Sequence, residues 1–175
     1  MILITGGSLG ASEINKAFAS IYKRIIDRYD NIYIVHQVGK GKLSVYDGET
    51  LSDQIKVKEF LKGMYQYSAA ADIVITRASA TALAELEVQG KPLIVIPNPN
   101  LSGGHQIING AVISKNNAGI VLSEPELIKN PEILLTSIFR LLDNKGLSEV
   151  LSVNINKLAV TDAAIQTAKI LLKLE

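Results

Sequence analysis

Three loops of this 175-residue sequence combine small residues with polar side chains, as loops that bind phosphates and sugars do. The first, Gly6–Gly10, joins an apolar strand to an amphipathic helix, and its glycines (Gly6, Gly7 and Gly10) let the backbone approach a ligand closely. The N–H groups that begin the helix would point into this loop, and Ser8 adds a hydroxyl donor. The pattern suits a phosphate, but a tight turn without a ligand fits equally well, since the loop matches neither a dinucleotide fingerprint nor a P-loop.

The second loop lies within Thr76–Glu85, where small residues again precede a helix. Ser79 or Thr81 could cap that helix. Glu85 falls one to two turns into it, and its side chain would lean back toward the helix start. A carboxylate there could accept two hydrogen bonds from a vicinal diol such as that of a ribose. From spacing alone, however, a solvated helix glutamate is the favoured interpretation.

The third loop, within Pro97–Asn109, is rich in proline, glycine and asparagine. His105 and Gln106 open the next helix, where adjacent donors and acceptors would suit the hydroxyls of a sugar. Asn109 lies one turn further on. The alternative is a structural role, in which Asn100 or Ser102 caps the helix and His105 is merely exposed. The sequence alone does not separate these two interpretations.

Two further segments carry weaker signals. A backbone edge within Glu59–Leu61 could pair with a planar base, although Phe60 on its own is more typical of a core residue. His36 and Gln37 end a strand, and Gly39–Lys42 follows with two lysines. These lysines could touch a phosphate, but a solvated loop is the favoured interpretation.

The elements that would position these loops alternate between short apolar strands and longer helices, a pattern typical of a doubly wound, Rossmann-like parallel sheet of about six strands. In such α/β sheets, ligands bind at the carboxyl ends of the strands. The predicted strands are Ile2–Thr5, Ile32–Gln37, Ile55–Glu59, Ile73–Thr76, Leu93–Ile96 and Gly119–Leu122. The predicted helices are Ala11–Arg28, Ala80–Gln89, His105–Asn116, Pro125–Leu142 and Val150–Leu174.

Composition limits the possible functions. A net charge of +1 gives no field that would favour nucleic acid, and the lack of cysteine excludes disulfides and thiolate chemistry. With two histidines, a multi-histidine metal centre is not expected. No apolar run reaches the length of about 20 residues that a membrane-spanning helix needs, and no signal peptide is evident. These features predict one cytoplasmic domain over residues 1–175, without a metal or cofactor.

Taken together and in order, five stretches resemble the C-terminal, donor-binding domains of MurG-type UDP-N-acetylglucosamine transferases, which belong to glycosyltransferase family 28. Each stretch is weakly specific alone, but their order from about Ile2 to Leu122 is specific. The family has a two-domain GT-B fold, of which this chain would be one half. The stretches are GGSLGA, HQVGKG, KEFLKGM, TRASATALAELEVQGKPLIVIP and HQIINGA.

The resemblance implies roles for individual residues. It places the Gly6–Gly10 loop near the diphosphate and the acceptor, and the backbone of Leu61, with Phe60 beside it, at the uracil edge. Glu85 would hold the ribose hydroxyls, which reverses the interpretation from spacing. His105 and Gln106 would bind the hydroxyls of N-acetylglucosamine (GlcNAc). The substrate-binding set is completed by the amides of Ala80, Thr81 and Ala82, by Asn109, and by Arg77, whose role is left open.

Members of this family also carry an N-terminal domain that binds the lipid-linked acceptor, and nothing in the sequence corresponds to it. The expected activity is therefore the donor half of an inverting transfer of GlcNAc from UDP-GlcNAc to a polyprenyl-linked acceptor, as in the conversion of lipid I to lipid II. The catalytic base and the contact with the inner face of the membrane would come from the other half. The alternatives are the catalytic subunit of a split two-subunit UDP-sugar transferase, a UDP-GlcNAc epimerase and a non-catalytic UDP-sugar-binding scaffold.

Overall fold

The computed structural model describes residues 1–172, except for the side chain of Ser102, so Leu174 of the last predicted helix lies outside the described residues. Strands and helices alternate along most of the chain. The strands are β1 (Ile2–Thr5), β2 (Ile34–Gln37), β3 (Ile55–Lys58), β4 (Ile73–Thr76), β5 (Leu93–Val95) and β6 (Ile120–Val121). The helices are α1 (Ser12–Arg28), α2 (Met64–Ala70), α3 (Ala80–Gln89), α4 (His105–Lys115), α5 (Glu124–Lys129), α6 (Glu132–Asp143), α7 (Lys145–Asn156) and α8 (Ala163–Leu172).

The six strands form one parallel sheet in the order β3-β2-β1-β4-β5-β6, which confirms the predicted doubly wound fold. Thr5, the last residue of β1, pairs with Gln37 at the end of β2 and with Thr76 at the end of β4. The loops after these strands therefore leave the sheet at one edge. The strand order reverses direction between β1 and β4, where sheets of this kind form a crevice.

Alternate residues of each central strand enter two separate apolar layers, because successive side chains point to opposite faces of a sheet. Ile2 and Ile4 pack into the layer that contains Phe18 of α1, whereas Leu3 packs into the layer that contains Leu83 of α3. Helices α1, α5 and α6 cover the first face, and α3 and α7 pack together on the second. Both faces are thus buried, which leaves the loops and the first turns of the helices at the strand ends accessible to a ligand.

The helices differ from the prediction in three places, the first of which is α2, a short helix that was not predicted. The segment predicted as Pro125–Leu142 is two helices, α5 and α6, that are separated at Asn130 and Pro131. Asn130 is extended, with φ −145° and ψ 90°, as the residue before a proline prefers. The segment predicted as Val150–Leu174 is likewise divided, into α7 and α8, and no residue of α8 is buried. Within residues 1–172, no helix combines the length and the apolar character that crossing a membrane requires.

Candidate functional site

A cavity of about 730 Å³ opens at the carboxyl edge of the sheet, where the strand order reverses. The loops after β1, β4 and β5 form most of its wall, as expected for a ligand site in this class of fold. Its lining residues are Gly6, Gly7, Ser8, Leu9, Gly10, Ala11, Ser12, Glu13, Lys42, Arg77, Ser79, Thr81, Ala82, Glu85, Asn98, Asn100, Leu101, Gln106 and Glu124.

The glycine loop after β1 presents free amides to this cavity. Gly10 N–H donates to the Gly7 carbonyl at 3.0 Å, which closes a turn, and Gly7 N–H donates to Thr5 Oγ1 at 3.1 Å. Helix α1 has no side-chain cap at Ala11. Within residues 1–172, no protein acceptor is found for the N–H groups of Ser8, Leu9, Ser12 and Glu13, all of which line the cavity. Unpaired amides at a helix start form a site that favours an anion.

The start of α3 is partly capped by its own sequence. Ser79 Oγ accepts a long hydrogen bond from Ala82 N–H at 3.4 Å, so one amide that was expected to contact a diphosphate already has a partner. The N–H groups of Ala80 and Thr81 have no acceptor within the described part of the chain. Glu85 is exposed, lines the same cavity and forms no ion pair with a described residue.

Two of the predicted site residues form hydrogen bonds that hold the loop after β5 in place. Gln106 Oε1 accepts a hydrogen bond from Asn98 N–H at 2.9 Å, and Asn109 Nδ2 donates to the Ala78 carbonyl at 2.9 Å. Asn109 thereby ties α4 to the loop after β4. His105 is exposed and does not line the cavity. Its ring lies over Gly103, where an added Cβ would come within 2.6 Å of Nε2.

Arg77 is committed to an internal ion pair. Its guanidinium forms a hydrogen-bonded ion pair with the Glu124 carboxylate, and its Nη1 donates a hydrogen bond to the Ile96 carbonyl at 3.2 Å. The side chains of Arg77 and Glu124 are only 10% and 5% exposed. Arg77 thus lines the cavity with its charge already balanced. Among the described residues, no cluster of three or more histidine, aspartate or glutamate side chains could hold a metal ion.

Gln37, which sequence reasoning did not include in the site, joins two loops beneath the cavity. Its Nε2 donates to the Gly7 carbonyl at 3.0 Å, and its Oε1 accepts from Leu61 N–H at 2.9 Å. The Leu61 amide expected at the uracil edge is therefore bonded to Gln37. Leu61 is buried, Phe60 is 61% exposed rather than part of the core, and neither lines the cavity. The signal for Gln37 was its polar side chain at the end of a buried strand.

A second buried polar group, around His36, supports the glycine loop from below. Asn15 Nδ2 donates to the Val38 carbonyl at 2.8 Å, which leaves Asn15 Oδ1 to accept from His36 Nε2 at 3.0 Å. His36 Nδ1 then accepts from Tyr46 O–H at 2.8 Å. Burial lowers the pKa of His36 to about 3 and raises the pKa of Tyr46, so both groups are neutral near pH 7.

The cavity brings together most of the predicted site residues but not all of them. It does not include Phe60, Leu61, Ala80, His105 or Asn109. Sequence reasoning missed Glu124, whose signal was an acidic residue immediately before Pro125, in the first turn of α5. The predicted residues that line the cavity are Gly6, Gly7, Ser8, Gly10, Arg77, Thr81, Ala82, Glu85 and Gln106.

Comparison with known proteins identifies relatives of nearly the whole chain. Residues 1–165 match the family described as glycosyltransferase family 28 C-terminal domain. A protein from Christiangramia forsetii is 34% identical over an alignment of 165 residues, with 93% of this chain and 43% of the relative covered. It is named UDP-N-acetylglucosamine–N-acetylmuramyl-(pentapeptide) pyrophosphoryl-undecaprenol N-acetylglucosamine transferase.

A protein of the same name from Bacillus licheniformis is 32% identical, with 99% of this chain and 48% of the relative covered. The crystal structure of MurG from Acinetobacter baumannii superposes with a TM-score of 0.80 at 25% identity, over 99% of this chain and 49% of that structure. The chain therefore spans about half the length of the proteins it matches.

Proposed function

The chain belongs to the family of glycosyltransferase family 28 C-terminal domains, and we propose that it is the donor-binding half of an inverting transferase. Its donor would be UDP-GlcNAc, and its acceptor a polyprenyl-linked sugar, as in the conversion of lipid I to lipid II. The observation that carries this proposal is the cavity where the strand order reverses, in which two helix starts with unpaired amides and an exposed Glu85 share one space.

The amides match the diphosphate of the donor. The N–H groups of Ser8 and Leu9 in the turn, and of Ser12 in the first turn of α1, can donate to phosphate oxygens. At the start of α3, the free N–H group of Thr81 belongs to a residue that lines the same cavity. Glu85, on α3 itself, lines the same cavity, where an ionised carboxylate can accept from both hydroxyls of a ribose. A nucleoside diphosphate would thus span the cavity.

The same groups can promote departure of UDP. As the bond between the anomeric carbon and the phosphate oxygen breaks, negative charge grows on the diphosphate. Amides fixed by the turn and by two helices stabilise this charge without reorganisation, and no metal or cofactor is needed in the proposal. The acceptor hydroxyl would lose its proton to a base on the other half of the enzyme, since Glu124 and Glu13 in this cavity pair with Arg77 and Lys16.

Helix α8 offers a surface for that other half. None of its residues is buried, and Ile165 and Leu172, which lie two turns apart on one face of the helix, are each more than 60% exposed. Exposed apolar side chains grouped on one helix mark contact surfaces rather than ordinary solvent-facing ones. An acceptor-binding domain or subunit packed on α8 would cover them, and it would bring the contact with the inner face of the membrane.

Calorimetric titration of the full chain with UDP and UDP-GlcNAc tests the proposal. Both should bind with weak affinity, and ADP should bind less well, because the base would be the wrong size for the uracil position. Glu85→Ala should weaken UDP binding by about 1–3 kcal/mol, since hydrogen bonds to a charged group are lost. Deoxy-UDP, which lacks the ribose 2′-hydroxyl, should show a smaller loss on this substitution than UDP.

The outcome against the proposal is equally specific. Equal affinity for UDP and ADP, or no heat from UDP at millimolar concentration, would exclude a uridine-diphosphate site. If UDP binds and Glu85→Ala leaves its affinity unchanged, the nucleotide site is supported but the proposed role of Glu85 at the ribose is wrong. Release of UDP without sugar transfer, in a mixture with an acceptor-binding partner, would favour an epimerase.

A further inference from the structure

The two lysines of the loop after β2 occupy different environments. Lys40 is exposed and lies away from the cavity, as expected of a solvated loop. Lys42 is half-buried and lines the cavity, and its Nζ donates to the carbonyl of Gly10 at 3.1 Å. The ammonium of Lys42 therefore lies beside the glycine turn whose amides face the same space.

Backbone contacts fix the position of this lysine. Gly10 and Gly39 meet so closely that a Cβ on Gly10 would lie 1.8 Å from the Val38 carbonyl oxygen, and one on Gly39 would lie 2.4 Å from the Leu9 oxygen. Both glycines have positive φ, at +67° and +92°. Lys42 N–H donates to the Gly39 carbonyl at 3.2 Å. The backbone that carries the Lys42 side chain is thus packed against the glycine turn.

The charges in the cavity leave Lys42 without a partner of opposite sign. Arg77 is paired with Glu124, and Glu13 is paired with Lys16 at 3.2 Å. Within residues 1–172, Lys42 is the cationic side chain of the cavity wall that has no carboxylate within 4.0 Å. Its hydrogen bond to Gly10 uses one of three ammonium donors, so two remain for a ligand.

We propose that Lys42 is a further substrate-binding residue, whose ammonium pairs with a phosphate oxygen of the nucleoside diphosphate. This inference rests on the proposed function. It gives the diphosphate a full positive charge from one side chain, in addition to the partial positive charges of the backbone amides. A lysine acts on a phosphate as a point charge with rotatable donors, which suits a site where the ligand enters from an open crevice. Lys40, two residues earlier, has no such role.

The test compares UDP, UMP and uridine on the full chain, by NMR titration, with matched variants of the two lysines. Lys42→Gln keeps a hydrogen-bond donor on a slightly shorter side chain but removes the charge. It should weaken UDP binding about tenfold and UMP binding less, and leave uridine binding unchanged, because uridine has no phosphate. Lys42→Arg should bind UDP with an affinity within about threefold of that of the original chain, because the positive charge is kept. Lys40→Gln should bind UDP as tightly as the original chain does. The loss in Lys42→Gln should also shrink as salt is raised, because screening weakens charge pairs.

Each outcome separates this inference from the proposed function. If the unsubstituted chain does not bind UDP, the proposed function fails first. If it binds UDP and Lys42→Gln binds with the same affinity, the phosphate role of Lys42 is overturned while the UDP site stands. An equal loss for uridine and UDP would also overturn it, because Lys42 would then act only by holding the glycine turn.

Discussion

The polar side chains at the carboxyl edge of the sheet fall into two groups that differ in burial. His36, Gln37 and Arg77 are buried and bond to other parts of the protein. Ser8 and Glu85 are exposed in the cavity, and their side chains bond to no described residue. The buried group holds the loops in place, whereas the exposed group keeps its hydrogen-bonding capacity for a ligand.

This difference separates two kinds of substitution. Removing a buried polar side chain leaves its partner unpaired away from water, which lowers the free energy of unfolding. Removing an exposed one should change ligand affinity and leave the free energy of unfolding nearly as it was. The sequence has no tryptophan, so unfolding is best followed by circular dichroism of the helices in urea.

The largest effect is expected at Arg77. Arg77→Met should lower the free energy of unfolding by about 3–5 kcal/mol, because Glu124 would remain as a buried charge without its partner. The double substitution Arg77→Met with Glu124→Gln should regain much of this loss. Arg24→Met serves as control, since Arg24 pairs with Glu132 at the surface and should cost no more than about 1 kcal/mol. Equal costs at Arg24 and Arg77 would contradict the distinction.

The next largest effect expected is on the pH dependence of the free energy of unfolding, to which His36 contributes. Its folded pKa of about 3 lies below the value of about 6.5 expected in the unfolded chain. Between these values the unfolded chain binds a proton that the folded chain does not, so stability falls as pH falls, by about 1.4 kcal/mol per unit at most. His36→Gln should have a flatter profile from pH 6.5 to 4.5. Parallel profiles for the two proteins would show that His36 is not the group responsible.

The strands were predictable because their signal is local. Most of them are apolar runs, because both faces of a parallel sheet are covered. The edge strand β3 instead alternates apolar residues with lysines, which is also a strand pattern. The glycine loop and the start of α3 followed from the same reasoning, since the carboxyl ends of such strands meet at one edge. Helix ends were harder: the apolar periodicity of α6 continues that of α5, and only Pro131 marks the break.

The buried supports of the site could not be predicted for a different reason. Glu124 pairs with Arg77 from 47 positions away, and Leu61 meets Gln37 from 24 away. The local spacing of these residues does not specify their partners. The pairs are brought together only by the arrangement of the strands in the folded sheet. The resemblance to known enzymes supplied roles for exposed residues, but it did not reveal that the Leu61 amide is already bonded.

A smaller effect is expected at Gln37. Gln37→Met should cost about 1–3 kcal/mol of unfolding free energy, because the Leu61 N–H and the Gly7 carbonyl would lose their shared partner. UDP binding should weaken as well, since the glycine turn would be held less firmly. Gln66→Met is the matched control, because Gln66 is exposed and, among the described residues, its side chain forms a hydrogen bond only with its neighbour Tyr65. A stability loss no greater than that of the control would remove Gln37 from the supporting group.

The smallest effect on stability is expected at His105, which belongs to the exposed group but lies outside the cavity wall. His105→Ala should change the free energy of unfolding by less than about 0.5 kcal/mol. If His105 binds the sugar, the substitution should weaken UDP-GlcNAc binding roughly two- to tenfold and leave UDP binding unchanged, as expected for loss of a neutral hydrogen bond. Calorimetry with both ligands measures this difference directly. An equal loss for the two ligands would place His105 at the nucleotide. No loss for either would contradict its role at the sugar and leave that role to Gln106, the residue of α4 that lines the cavity and that Asn98 holds by a hydrogen bond.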